Sequence, residues 1–282
     1  MSITIGIDIG GSTTKIVGIQ DGMIVTPMLV RANDPVASLF GAFGKFVDSN
    51  SLPLSFIERI MITGVGASYI SKPIYGLPTA KAEEFLANGL GGLFLTGLSN
   101  ALIVSMGTGT ALVEASQESI KHIGGTGIGG GTILGLSSSM LNIRDIELII
   151  KTAEDGDLSR IDLMVGDITK DLLPGLPPHT TASNFGRISD IASRADIALG
   201  IINLVLQAIG MTAVFAVRGS GLKDVVLIGK VSVIPQCKDV FDVLRQLFPV
   251  NFIIPENAEY ATAVGAALAY LRDMQYNDIK GF

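Results

Sequence analysis

At 282 residues and 48% hydrophobic content, the chain can bury a large core and fill one large domain or two of ordinary size. Its net charge of -6 and pI near 4.9 argue against a nucleic-acid surface, since neutralising a phosphate backbone takes clustered Lys and Arg, but they leave small anionic ligands open. One cysteine, Cys237, excludes an intramolecular disulfide framework and a cysteine-rich metal cluster, as suits a reducing cytoplasm.

Ile3, Ile5, Ile7 and Ile9 alternate as in a strand with one face in a core, and no charged segment leading into a long apolar run marks a signal peptide. Asp8 falls among them. An ionised carboxylate there is costly without a partner, so Asp8 points to a metal-bound water or a nearby cation. Gly10 and Gly11 permit a tight turn close to an anion, Ser12, Thr13 and Thr14 add hydroxyls, and Lys15 adds a charge. On these residues alone the stretch is equally a phosphate hairpin or an ordinary hairpin with a GG turn. A third strand follows over residues 23–30, then a helix over 36–47 with Val36, Leu39, Phe40, Phe43 and Val47 at helical spacing, then a strand over 57–63 ending in Gly64, Val65 and Gly66. That order matches a ribonuclease-H-like half. Residues 79–90 read as helical, with Ala82, Phe85, Leu86 and Gly89 on one side; by spacing alone Glu83 and Glu84 form a solvated face.

Residues 101–113 repeat the first design. Two apolar strands, the first carrying Ser105, are joined by Gly107, Thr108, Gly109 and Thr110, whose amides and hydroxyls suit a phosphate approached from the opposite side. His122 leads into residues 124–131, six of which are glycine. Gly129, Gly130 and Gly131 open onto an apolar helix over 132–141, and a glycine loop at a helix N-terminus favours an anion site over a linker. Pro174, Pro177 and Pro178 mark an irregular excursion near a ligand mouth or a partner, and His179, without a metal-spaced companion, is expected in solvent. Residues 197–217 read as a long core helix; the mean hydropathy of +0.51 comes with no run of 18 uninterrupted apolar residues, so no membrane partner is expected. Residues 225–228 form a buried strand ending in Gly229 and Lys230, where glycine lets backbone lie against a flat base. The small residues Ala261, Ala263, Gly265, Ala266 and Ala267 in a helix over 258–271 suit a tight interdomain contact.

Taken together, GIDIGGSTTK, ITGVG, SMGTGT, VLIGK and ATAVGAALA resemble, in order, the five motifs of the actin, sugar kinase and Hsp70 superfamily. The resemblance implies an α/β protein of two ribonuclease-H-like domains, residues 1–100 and 101–282, closing over ATP, with substrate-site insertions in the second. Over nearly its full length the chain is similar to type II pantothenate kinases, through GTGT followed by GGTGIGGGTILGLS, then IDLMVGDI, then ASNFG. That likeness implies ATP- and Mg2+-dependent phosphorylation of pantothenate, the first step toward coenzyme A, by a cytoplasmic homodimer, with coenzyme A or its thioesters as candidate regulators.

The family's general base is a glutamate followed by Phe and, seven positions on, by Gly, a pattern matched by Glu84, Phe85 and Gly91, while Glu83 would need an inserted residue. The resemblance makes Asp8 the organiser of the metal through water. It assigns nucleotide contacts to Gly10, Gly11, Ser12, Thr13 and Lys15 on one side, to Gly107, Thr108, Gly109 and Thr110 on the other, and to Gly129, Gly130, Gly131 and Gly229. Ser105, His122, Ala182, Asn184, Phe185 and Gly186 are left to line the pantothenate side. One departure is Lys121-His122, where the family often carries an Arg pair whose second member holds the pantothenate carboxylate. An amino-sugar kinase is the alternative enzyme, although repressor-type sugar kinases carry a cysteine-rich zinc loop. A non-kinase switch or filament protein is the alternative of another class, although 282 residues leave little room for the large insertions of those branches.

Overall fold

The computed structural model describes residues 2–11, 13–31, 34–171, 175–273 and 276–279; expectations that rest on Ser12 and Pro174 lie outside them. The isoleucine alternation becomes β1 (Ile3–Ile9), yet all seven of its residues are buried, not one face only. Ile5, Ile7 and Ile9 share a core with Leu39, Phe43 and Phe46, while a Cβ at Gly6, on the other face, would stand 1.9 Å from the carbonyl oxygen of Ala263. A strand covered on both sides needs its small residue where a helix backbone touches it.

β2 (Thr13–Gln20) and β3 (Met23–Arg31) complete an antiparallel meander with β1. Helix α1 (Pro35–Ser49) then starts on Asp34, whose carboxylate accepts from the Ala37 amide at 2.6 Å. β4 (Ile57–Thr63) and β5 (Thr79–Ala82) add in parallel, and α2 (Glu84–Thr96) ends on Gly97 in the left-handed conformation. The expected helix over 79–90 thus begins as a strand. In so short a segment, pairing with β4 outweighs helical spacing, and the helix starts only where Glu83 can cap it.

In the second half β6 (Asn100–Met106), β7 (Thr110–Ser116) and β8 (Ile120–Thr126) form another antiparallel meander. Gly124 and Gly125, expected in the glycine loop, belong to β8; a Cβ at Gly125 would lie 2.5 Å from the Thr110 carbonyl oxygen. There follow α3 (Gly130–Leu141), α4 (Ile146–Thr152), β9 (Leu163–Met164), α5 (Val165–Ile168), β10 (Thr181–Ser183) and α6 (Arg194–Val217). The chain ends with β11 (Asp224–Ile228), α7 (Pro235–Leu247), β12 (Asn251–Ile253), α8 (Ala261–Leu271) and β13 (Tyr276–Asp278).

One sheet runs β3-β2-β1-β4-β5-β13, the other β8-β7-β6-β11-β12. Without β13 the two have the same order, a meander extended by two parallel strands, the ribonuclease-H-like arrangement. The repeat extends to the turns. Gly64 (φ 85°) after β4 and Gly229 (φ 92°) after β11 each lead into a 3-10 turn. α8 and β13 return to the first sheet, so a cut at residue 100 separates the meanders but not the packing. Helix α6 is long and apolar enough to cross a membrane by length and composition, but Ile201, Ile202, Val205, Leu206 and Ile209 are fully buried in the second core, as a core helix requires.

Candidate active site

Asp8 lies late in β1, directly opposite Lys15 on β2 and beside Thr63 on β4. Opposed antiparallel residues have neighbouring Cβ atoms. Lys15 Nζ accordingly sits 3.2 Å from Asp8 Oδ2, with the two side chains only 10% and 11% exposed. The nearby cation that a core carboxylate demands is therefore Lys15. Thr63 Oγ1 is buried beside this pair and has no hydrogen-bond partner among the described residues, so polar capacity remains at the site. Gly64 keeps the wall open: a Cβ there would stand 2.6 Å from Asp8 Oδ1, on a backbone with φ of 85°.

The Gly10 amide donates to the Thr13 carbonyl at 2.9 Å, closing the first turn with Gly11 exposed at its tip. The second turn is closed by Gly107 donating to the Gly109 carbonyl at 2.9 Å. The glycine run acts on it differently from the anion site expected. The Gly130 amide donates to the Gly107 carbonyl at 2.8 Å, the Gly131 amide to Thr108 at 2.9 Å, and Thr110 Oγ1 to the Ile128 carbonyl at 2.8 Å. The opening amides of α3 are thus committed to the turn, which presents exposed Gly107 and Thr108. Gly129 must be glycine for this contact, because its Cβ would lie 2.6 Å from the Thr108 carbonyl oxygen. Gly229 docks similarly, 2.7 Å from the Met106 carbonyl oxygen by its absent Cβ, and donates to the Ala258 carbonyl at 3.0 Å.

The start of α2 separates the two glutamates. Glu83 is the N-cap, its carboxylate accepting from the Leu86 amide at 2.7 Å. Glu84 is the first helical residue and half-buried. Burial raises its carboxyl above the usual range, Asp8 and then Glu83 push the same way, and Lys15 opposes them. Glu84 therefore shares its field with the Asp8–Lys15 pair. Phe85, next on the helix, stacks on His122 of β8, with ring centroids 3.8 Å apart and planes 2° from parallel. Ser105 is half-buried on β6, opposite Ala111. Lys121 is exposed opposite Glu114.

Asn184 and Phe185 bind Asp162, a residue inside the IDLMVGDI stretch with no role assigned to it from the sequence. Ala182 lies in β10, and a Cβ at Gly186 would stand 2.7 Å from the Ser183 side chain. Asp162 is fully buried. Its carboxylate accepts from the Phe185 amide at 2.9 Å, Asn203 Nδ2 at 2.7 Å, Thr181 Oγ1 at 3.2 Å and Asn184 Nδ2 at 3.3 Å. Phe185 is held in the left-handed region (φ 57°), and a Cβ at Gly200 of α6 would lie 3.1 Å from its ring. The signal in the sequence is Asn203 with Gln207, two amide side chains four residues apart in the largely apolar middle of α6, the second of which donates to Thr181 Oγ1 at 3.2 Å.

The Fumble family model matches residues 98–244. The type II pantothenate kinase of Staphylococcus aureus (strain USA300) is 30% identical over 277 residues, covering 93% of this chain and 97% of that protein. That of Bacillus thuringiensis subsp. konkukian is 29% identical over 238 residues, covering 81% and 83%. Among solved structures, the activator of 2-hydroxyisocaproyl-CoA dehydratase from Clostridium difficile with bound ADPNP aligns at a TM-score of 0.68 and 17% identity, over 96% of this chain and 95% of that one. A ROK family glucokinase from Streptomyces griseus in complex with glucose and AMPPNP aligns at 0.57 and 14% identity, over 94% and 98%. At those identities the likeness speaks for the fold alone, the two-sheet α/β architecture of actin-like ATPases and sugar kinases. With the family model spanning more than half of the chain and a relative 30% identical across 93% of it, the chain belongs to the type II pantothenate kinase family.

Proposed function

We propose that this protein transfers the γ-phosphoryl group of ATP to the terminal hydroxyl of pantothenate, giving 4'-phosphopantothenate, the first step of coenzyme A biosynthesis. The observation that carries the reading is Glu84, a desolvated carboxylate at the start of α2 beside the Asp8–Lys15 pair, in a chain of this family. A raised carboxyl is a stronger proton acceptor at neutral pH, as a general base toward an alcohol must be. Phosphoryl transfer otherwise depends on positioning and electrostatic compensation. Lys15, Gly10, Gly11 and Thr13 would meet the phosphates from one side, and Gly107 and Thr108 from the other. Gly109, Thr110, Gly129, Gly130 and Gly131 would hold the second turn in shape, with Gly229 against the base. Ser105 and His122 would face pantothenate, a role supported by the Phe85–His122 stack next to Glu84.

Mg2+ fits this donor set, being commonly held by one or two carboxylates together with phosphates and waters. Asp8 and the Thr63 hydroxyl, unpartnered among the described residues, suit water-mediated retention, whereas among those residues no group of three or more ligating side chains forms an all-protein site. Bound there, the ion would neutralise charge on the phosphates. Residues 1–100 and 101–282 are read as the two domains that close over ATP, in a cytoplasmic homodimer regulated by coenzyme A or its thioesters; that part rests on family resemblance.

ATP consumption measured with pantothenate, with N-acetylglucosamine and without acceptor tests the function. Turnover that depends on pantothenate is expected. Equal consumption in all three arms overturns it.

A further inference from the structure

Arg31 ends β3 as the register partner of Thr13, so it flanks the first glycine turn. Its guanidinium pairs with Glu147 in the first turn of α4, in the second half of the chain. Among the described residues this is the one ion pair joining the first sheet to the helices of the second half. Lys230 follows Gly229 on the other wall, half-buried, and forms no ion pair among the described residues. Burial disfavours its ammonium form, Arg31 and more weakly Lys15 disfavour it further, and Glu147 and Glu259 oppose them. Arg31 from the first sheet and Lys230 from the second half thus act on each other electrostatically, and Glu147, paired with Arg31, also favours the Lys230 ammonium.

We propose that Arg31 and Lys230 are a further pair of phosphate-binding cations, and that Glu147 is an internal stand-in that holds Arg31 until the nucleotide polyphosphate displaces it. The inference rests on the reading that ATP lies between the two glycine turns. A guanidinium matches phosphate oxygens at least as well as a carboxylate, and an exposed ion pair is weak enough to exchange. Glu147 then competes with the nucleotide, and the exchange couples phosphate arrival to release of the bridge between the halves.

Calorimetric binding of AMPPNP with Mg2+, with AMP as the control lacking the β- and γ-phosphates, tests this. Glu147→Gln should bind AMPPNP about three- to tenfold tighter and AMP unchanged. Arg31→Met should bind AMPPNP about tenfold weaker and abolish the gain from Glu147→Gln in the double variant. Lys230→Met should also weaken AMPPNP several-fold, while AMP is unaffected. Unchanged or weaker AMPPNP binding by Glu147→Gln, a gain that persists without Arg31, or AMPPNP binding indifferent to Lys230→Met overturns the proposal. A wild-type chain that binds AMPPNP but leaves pantothenate unphosphorylated refutes the acceptor and leaves this inference standing; one that binds no AMPPNP refutes both.

Discussion

Phe85 and His122 stack face to face, 3.8 Å between centroids, so the second residue of α2 clasps a side chain of β8 one position from Glu84. The stack occupies a face of the imidazole and leaves its nitrogen-bearing edge for a ligand. Stacking of aromatic rings contributes about 0.5–1.5 kcal/mol, so Phe85→Ala should raise KM for pantothenate about two- to tenfold with KM for ATP unchanged. His122→Arg should lower KM for pantothenate, because a guanidinium keeps the planar stack and adds a bidentate grip on a carboxylate. Steady-state kinetics with each substrate varied in turn checks both. Parallel changes in both KM values would remove His122 from the pantothenate side.

Glu84 is expected to trade stability for activity. Its folded carboxyl is raised above the ordinary value of 4.5, chiefly by burial. Between the ordinary and the raised value the folded state keeps a proton that the unfolded state releases, so this contribution to stability is present below that window and lost as pH rises through it. At neutral pH the ionised Glu84 therefore costs stability. Glu84→Gln should melt at a higher temperature than wild type at pH 7.5, with the advantage vanishing below about pH 4, while turnover falls by about a hundredfold or more. The acid limb of kcat against pH should lie above the ordinary glutamate range. Full turnover by Glu84→Gln, or an acid limb at the ordinary value, would sink the base assignment.

The parts of this fold legible in the sequence are those whose cause is local. The hairpins at Gly10 and Gly107, the strand at Ile57–Thr63 and the apolar helix α6 follow from periodicity and glycine placement within a few residues. The parts not legible depend on distant partners. Thr79–Ala82 is a strand because β4 lies beside it, and Gly124 and Gly125 are in β8 because β7 approaches closely. Glu83 and Glu84 look alike until the helix start gives one a cap and buries the other. The amides of Gly130 and Gly131 look free until the second turn, more than 20 residues earlier, accepts from them.

Asp162 should be a stability residue whose loss also loosens the Asn184–Gly186 loop. Its buried carboxylate accepts from two amide side chains, a hydroxyl and the Phe185 amide. Asp162→Ala leaves Asn203 Nδ2 and the Phe185 amide without an acceptor, while Asn184 Nδ2 keeps Gln207 Oε1 at 3.3 Å. A loss of about 2–6 kcal/mol in urea denaturation is expected, since each of the two stranded donors costs about 1–3 kcal/mol. The Asn203→Ala variant, which removes one donor and keeps the acceptor, should cost less. Equal stability of Asp162→Ala and wild type would show that the cluster does not hold the loop.

The contact between α2 and α8 gives a sharper test, because two substitutions of the same chemistry should act with opposite signs. A Cβ at Gly265 would stand 1.8 Å from the carbonyl oxygen of Ala87, and one at Gly91 would stand 1.9 Å from that of Ala261. Both obstacles are backbone, so no rotamer change relieves them and the helices must move apart. That movement would stretch the buried bond from Thr262 Oγ1 to Asn88 Oδ1, now 2.7 Å, and tilt the helix whose first residue is Glu84. Gly265→Ala should therefore destabilise by about 3 kcal/mol, even though alanine favours a helix by about 1 kcal/mol over glycine, and should lower kcat as well. Gly135 is the control. It lies exposed inside α3, where an added Cβ would meet nothing within 4 Å, so Gly135→Ala should gain up to about 1 kcal/mol and leave kcat unchanged. Urea denaturation of the two variants side by side separates helix propensity from interhelical contact, and a Gly265→Ala protein as stable as Gly135→Ala would mean that α2 and α8 do not pack through these glycines.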